Sequence, residues 1–412
     1  MSTLSLPSYT PDHNHSPAYS AEPQQYERRL LVPPRQRPSS EFVKQSRSGE
    51  LSLRLAAQVD GVTTPMYALR ELVEGTVEIA KPDGLAYVAV KVEGFLKLKE
   101  IAEGGTTTVV LCNETITLWR KGVDPGPCPS SLPFSAPLPT TFADEKTTYS
   151  LPPTYEAHLT GLPGFTVNVD YSVTAIASKT KNSVLGIGAT TVSTPFIYYP
   201  RTRPSSPLPP PLEQLTAQPG LRETHERAIS ALYLPKSQVF CMNRPIPFHI
   251  AFVGSAMSLA TLLPYMPSRS GQALGKPCTR IQILRQSTVD VKNDYIPNGT
   301  KTEMWRTSKI GEGTIHRTGD GPEWLTFAGE LKVNPEVTIG GFKAGGLWVK
   351  DCVVLTIMPP DALKGPIGDM RLVVPIRLVT HPWTAEAYVE HVSPAPSENE
   401  TYEPSDLAYL AE

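Results

Sequence analysis

Few residues in this chain have the types and spacing that bond-making chemistry requires. The eight histidines are dispersed, and His249, beside Phe248 in an alternating run, falls on the wet side of a strand, where a surface histidine is the plain reading. Gly271-Gln272-Ala273-Leu274-Gly275-Lys276-Pro277 comes nearest to a phosphate loop. It is one residue short between its glycines and has proline where Ser or Thr would bind magnesium. Neither HExxH nor GxSxG occurs, and no Ser/His/Asp grouping shares a local context. Five cysteines, at 112, 128, 241, 278 and 352, show no CxxC or Cys/His ligand spacing, and an odd number cannot all pair within one chain. They read as reduced, cytosolic thiols. The expectation is a protein without enzymatic activity, cofactor or metal.

What remains is the chemistry of docking. Leu6-Pro7-Ser8-Tyr9 is an LPxY variant of the PPxY signal, and Pro152-Pro153-Thr154-Tyr155 is its full form. A polyproline-type segment is already extended, so its proline and tyrosine fill the aromatic grooves of WW domains at low entropy cost. Through such a domain either motif would recruit a HECT-type ubiquitin ligase. The second motif also fits a conformationally fixed strand start with Tyr155 half buried, and the magnitudes favour that reading. A micromolar WW contact is worth about 8 kcal/mol, and a local opening of about 4 kcal/mol would weaken it roughly a thousandfold. Arg201-x-x-Pro204-x-x-Pro207 fits an SH3-ligand pattern, with arginine supplying charge at one end of a polyproline helix. It equally fits a proline-rich linker. Leu407-Ala408-Tyr409-Leu410 has Ala411 where a clathrin-box peptide would have an acidic residue.

The elements that must position these motifs are strands. Phe165, Val167, Val169, Tyr171, Val173, Ala175 and Ala177 alternate with Thr166, Asn168, Asp170, Ser172 and Thr174, so one sheet face is buried and the other wet. Before them, prolines at 133, 137, 139, 152, 153 and 163 confine the chain to edge segments and turns, because proline cannot donate to a central ladder. Similar alternation marks residues 51–59, 88–98, 246–252 and 372–378, and the nearly continuous apolar run 352–357 fits a strand covered on both sides. With 43 prolines, 29 glycines and few helical patterns, the chain reads as all-β. Its 412 residues exceed one ordinary core. The expected layout is a disordered Pro/Tyr-rich tail over 1–48, a β-sandwich over 49–200, a Pro-rich linker over 201–226, a second β-sandwich over 227–383, and an acidic flexible tail over 384–412.

A formal net charge of −2 supplies no global field for nucleic acid or anionic lipid. With no run of about 18 apolar residues, the chain is expected to be neither secreted nor membrane-spanning. Arg28, Arg29, Arg35 and Arg37 flank Leu30-Leu31-Val32. At about 1 kcal/mol per charge their pull on a membrane is marginal, and a solvated tail is the expectation.

The order of these pieces resembles a family. A Phe134-Ser135 pair between prolines, then Leu151 to Glu156, a turn over Gly161 to Gly164 and the Tyr171-centred strand are similar to the amino-terminal domain of arrestins, specifically the arrestin-related proteins of fungi. Pro65-x-Tyr67, Glu74 to Ile79 and the strand ending in Glu93-Gly94-Phe95-Leu96 resemble that domain's opening strands, and Val239 to Phe252 resembles the start of the carboxy-terminal domain. The resemblance extends over most of residues 50 to 380. It implies two immunoglobulin-like sandwiches in tandem, joined by a hinge. It also implies a cytoplasmic adaptor, recruited to the plasma membrane or endosomes, that links cytosolic segments of membrane transporters or receptors to ubiquitination and endocytosis, with only indirect membrane contact. The family often carries PPxY in its tail, and residues 384–412 have none, so ligase recruitment falls to Tyr9 and Tyr155. Without it, the chain would be similar to the retromer-associated arrestin-fold subunits, sorting or signalling scaffolds that lack PPxY.

Overall fold

The computed structural model describes residues 26–30, 38–101, 105–144, 147–161, 164–179, 189–208, 215–218, 229–263, 279–292, 301–358 and 370–384. These residues are almost entirely strand. The first half contains β1 (Glu27–Leu30), β2 (Ser40–Gln45), β3 (Leu51–Gln58), β4 (Met66–Tyr67), β5 (Leu72–Ile79), β6 (Leu85–Glu100) and β7 (Thr106–Arg120). It continues through β8 (Ser131–Pro137), β9 (Thr141–Ala143), β10 (Thr148–Ser150), β11 (Tyr155–Leu159), β12 (Phe165–Lys179) and β13 (Ala189–Tyr198).

Two sheets share the first core. One is the antiparallel set β2-β3-β5-β8; the other runs β4-β13-β12-β6-β7, with β11 also paired to β12. Leu51, Leu53, Leu55, Val73 and Val77 meet Val88, Val90, Leu96, Val167 and Val169 across it. The alternation read in β12 is kept: the odd-numbered residues from Phe165 to Ala177 are all buried. Tyr171 is admitted by Gly94 on the neighbouring strand, where a Cβ would lie 2.5 Å from the tyrosine ring. The β6–β7 register also shifts at this glycine, as a bulge requires.

The second half opens with β14 (Arg201–Pro204) and continues through β15 (Leu215–Gln218), β16 (Ile229–Pro235), β17 (Val239–Cys241), β18 (Ile246–Val253) and a short helix α1 (Ala256–Leu262). Ser255 caps α1 by accepting the Ser258 amide at 3.3 Å. Then come β19 (Thr279–Lys292), β20 (Lys301–Asp320), β21 (Trp324–Val333), β22 (Phe342–Ala344), β23 (Leu347–Ile357) and β24 (Met370–Val379). One ten-stranded sheet in the order β15-β16-β18-β21-β20-β19-β23-β24-β17, with β22 paired to β23, holds this half together. It curls on itself, because Phe248, Ile250, Phe327, Ile283, Val353 and Val374, from five of its strands, share one core. The run at 352–357 is covered on both sides as expected: Val353 and Leu355 enter that core, while Cys352 and Val354 form a small cluster with Leu284 and Val373 on the opposite face.

Three expectations are corrected. The segment 1–48, read as a disordered tail, holds β1 and β2; β2 pairs with β3 and packs Phe42 on the first core, and β1 pairs with β14. Composition had outweighed these few apolar anchors. The segment 201–226, read as a linker, contains β14 and β15. The first core is also not confined to residues 49–200, since it takes in Val289, Val291, Met304, Phe342, Leu347 and Val349. The β22–β23 hairpin makes that connection. Its tip, Gly345-Gly346, has φ of +45° and +91°, the left-handed geometry of a primed two-residue turn. A Cβ on Gly345 would lie 3.3 Å from Val109, so bare backbone rests against the first half. No helix among the described residues is long and apolar enough to cross a membrane.

Candidate functional site

The most chemically varied part of the molecule lies where the two cores meet, and the Pro152–Tyr155 motif is built into it. Pro152 and Pro153 are buried and Tyr155 is half-buried. The Tyr171 hydroxyl donates to the Pro152 carbonyl at 2.6 Å. The Thr154 amide donates to the Tyr198 carbonyl at 3.0 Å, and the Tyr198 amide returns a 2.9 Å bond to Thr154 Oγ1. Tyr155 then enters β11 with its ring edge-on to Phe342, centroids 5.4 Å apart, and its hydroxyl 3.4 Å from Ser287 Oγ. A WW groove needs both prolines and the tyrosine extended and bare. As folded, Pro152, Pro153 and Tyr155 form a joint between the halves, in line with the conformationally fixed strand start that the magnitudes favoured over an exposed docking peptide.

Charged pairs surround this joint. Arg285 Nε lies 2.7 Å from Asp351 Oδ1 and its Nη2 lies 3.0 Å from Oδ2, and the same Nη2 donates to the Ile339 carbonyl at 2.7 Å. The two side chains are only 6% and 1% exposed, so the fork geometry and the third acceptor offset desolvation that would otherwise be severe. Arg377 grips Glu27 through Nε at 3.0 Å and Nη2 at 3.3 Å, and also donates to the Gly341 carbonyl. Arg29 donates to Ser150 Oγ at 2.7 Å. Between these groups lies a cavity of about 90 Å³ whose walls include Glu27, Arg29, Ser150, Pro152, Lys343 and Arg377. Lys343 stands 4.1 Å above the Trp348 ring, and burial lowers its pKa, with Asp290 and Asp144 acting in the opposite sense. Such paired charges can hold an interface in register and select what fits beside it.

The remaining expected site residues are dispersed. Leu6, Pro7 and Tyr9 lie outside the described residues, as do the five positions 407–411. Arg201 and Pro204 belong to β14, with Pro204 buried and opposite Glu27, while Pro207 is exposed. They therefore do not form a free polyproline ligand, and the SH3 reading is corrected by strand pairing. His249 is half-buried against the Tyr233 ring, centroids 5.9 Å apart, and burial lowers its pKa. No group of three His, Cys, Asp or Glu that could hold a metal occurs among the described residues.

Sequence reasoning missed Glu27, Arg285, Asp351 and Arg377, whose partners stand 66 or 350 positions away. A signal existed for one pair. Arg285 occupies an inward position in the alternation Ile281, Ile283, Arg285, Ser287, Val289, and Asp351 does the same between Val349 and Val353. Two opposite charges at core-facing positions violate the pattern unless they meet. Neither protein-family models nor curated proteins match this chain.

Proposed function

We propose that this protein is a non-enzymatic arrestin-like adaptor of two immunoglobulin-like β-sandwiches in tandem, linking cytosolic segments of membrane transporters or receptors to ubiquitination and endocytic trafficking. The observation that carries the reading is the joint: two β cores in series, clamped by Tyr155, Phe342 and the β22–β23 hairpin, in a chain whose motif order resembles the arrestin-related proteins of fungi. Such a body offers strand edges and loops on two linked modules, and avidity converts weak contacts into useful affinity. A HECT-type ligase would be recruited through Leu6, Pro7 and Tyr9, acting in the cytoplasm and at plasma-membrane or endosomal surfaces.

A panel of WW domains from HECT-type ligases tests this against the intact chain. Micromolar binding that Tyr9→Ala abolishes and Tyr155→Phe leaves unchanged is the expected result. The burial of Pro152 and Pro153 favours one second reading, a retromer-like sorting or signalling scaffold without ligase contact. Absence of WW binding, together with a stable partner co-eluting at stoichiometric ratio, would establish that alternative.

A further inference from the structure

The strand β1 is held less like a chain end than like a bound peptide. Its register against β14 is Glu27 opposite Pro204, Arg28 opposite Arg203, Arg29 opposite Thr202 and Leu30 opposite Arg201. Just before it, the Tyr26 carbonyl accepts the Ser205 amide at 2.7 Å. Tyr26 packs on Val239, Cys241 and Val379, a small apolar cluster separate from both cores. Glu27, only 2% exposed, lies in the fork of Arg377, and Leu30 is buried at the far end. Backbone pairing to an open strand, with an apolar notch, a carboxylate fork and a second apolar anchor as side-chain pockets, supplies both the affinity and the specificity of strand-addition recognition.

The contact is also weakly committed to its occupant. It spans four residues, and it sets Arg28 directly across from Arg203, an opposition of like charges that destabilises a strand pair. Arg203 is 7% exposed, and its Nη1 donates to the Thr384 carbonyl while its Nε has no hydrogen-bond partner among the described residues. Burial and then Arg28 lower its pKa. A strand without arginine at the second position would pair here more favourably than residues 26–30 do.

We propose that the cleft formed by β14, β17 and β24 is a peptide-docking site for an extended Tyr-Glu-x-x-Leu segment, filled in the free chain by the protein's own Tyr26–Leu30. A partner chain presenting that pattern competes with β1 for the Arg377 fork and the Val239/Cys241/Val379 notch. This goes beyond the adaptor reading and does not rest on it.

The test uses a fluorescent peptide of residues 24–32 and the full-length protein, either unmodified or carrying Tyr26→Ala with Glu27→Gln to weaken its own strand. The peptide is expected to bind the weakened protein at least tenfold more tightly than the unmodified one. A peptide with Gln in place of Glu27 should lose roughly tenfold, the worth of a charge-assisted hydrogen bond. A peptide with Arg28 replaced by Thr should gain. Equal binding of the Glu and Gln peptides, or no binding to a weakened protein that keeps its native circular dichroism, overturns the proposal. Photo-crosslinking covers the case in which the weakened protein fails to fold. A peptide with benzoylphenylalanine in place of Tyr26 should label the unmodified protein at Val239–Met242 or Val379, and labelling elsewhere, or none, is the opposing result.

Discussion

At the scale of single residues, the least replaceable groups are those whose partners arrive from far along the chain. Asp351→Asn leaves the Arg285 guanidinium buried with half of its fork, and loss of one member of such a pair costs about 3–5 kcal/mol. Denaturant unfolding should report that loss, whereas Arg285→Met combined with Asp351→Leu should restore most of it, since apolar replacement of a whole buried pair is often neutral. A loss below about 1 kcal/mol for the single change would mean that the pair is hydrated. The thiols give a pH dependence. Burial pushes Cys112 and Cys352 up to about 12, with nearby carboxylates adding to the effect. A thiol with a folded pKa above its unfolded value contributes stability that is complete below about pH 8.5 and is lost as pH rises toward the folded value. The urea midpoint should therefore hold to about pH 8 and fall between about pH 9 and 12, and Cys112→Ala with Cys352→Ala should flatten that fall.

At the scale of elements, β11 and the β22–β23 hairpin together set the junction. Removing the Tyr155 hydroxyl, which sits 3.4 Å from Ser287, should change stability by under about 0.5 kcal/mol. Phe342→Ala removes the ring that Tyr155 packs against and should cost about 3–5 kcal/mol; calorimetry on both variants separates packing from hydrogen bonding. Much of this framework was legible beforehand. Strands β3, β6, β12, β18 and β24 announce themselves because period-two alternation runs through much of each, unbroken in β12 and β18 and interrupted in β3 and β6. β20 does not, since among its described side chains the buried apolar ones are Met304 and Ile310 alone, and most of its other positions are polar or glycine. It is a strand because β19 and β21 pair with it on both sides, a long-range cause invisible to local pattern. The proline motif was legible as a fixed strand start, but the partners that bury it, Tyr171, Tyr198 and Phe342, come from other strands and were not.

At the scale of the whole molecule, the two halves are expected to unfold together. The first core includes side chains from β19, β20, β22 and β23, so neither half can open without exposing apolar surface in the other. Scanning calorimetry should show one transition with matching calorimetric and van't Hoff enthalpies, and two resolved transitions would mean that the junction contributes little. The bare Gly345-Gly346 tip against Val109 and Leu96 also imposes an order on the protein's manufacture. When a ribosome has released only residues up to 208, Leu96 and Leu98 still lack the hairpin that covers them. At roughly 5–20 residues per second, the amino-terminal half waits about seven to thirty seconds for its last wall to emerge. During that interval the nascent chain presents a greasy flank to the cell, and it is there that chaperones have their claim on it.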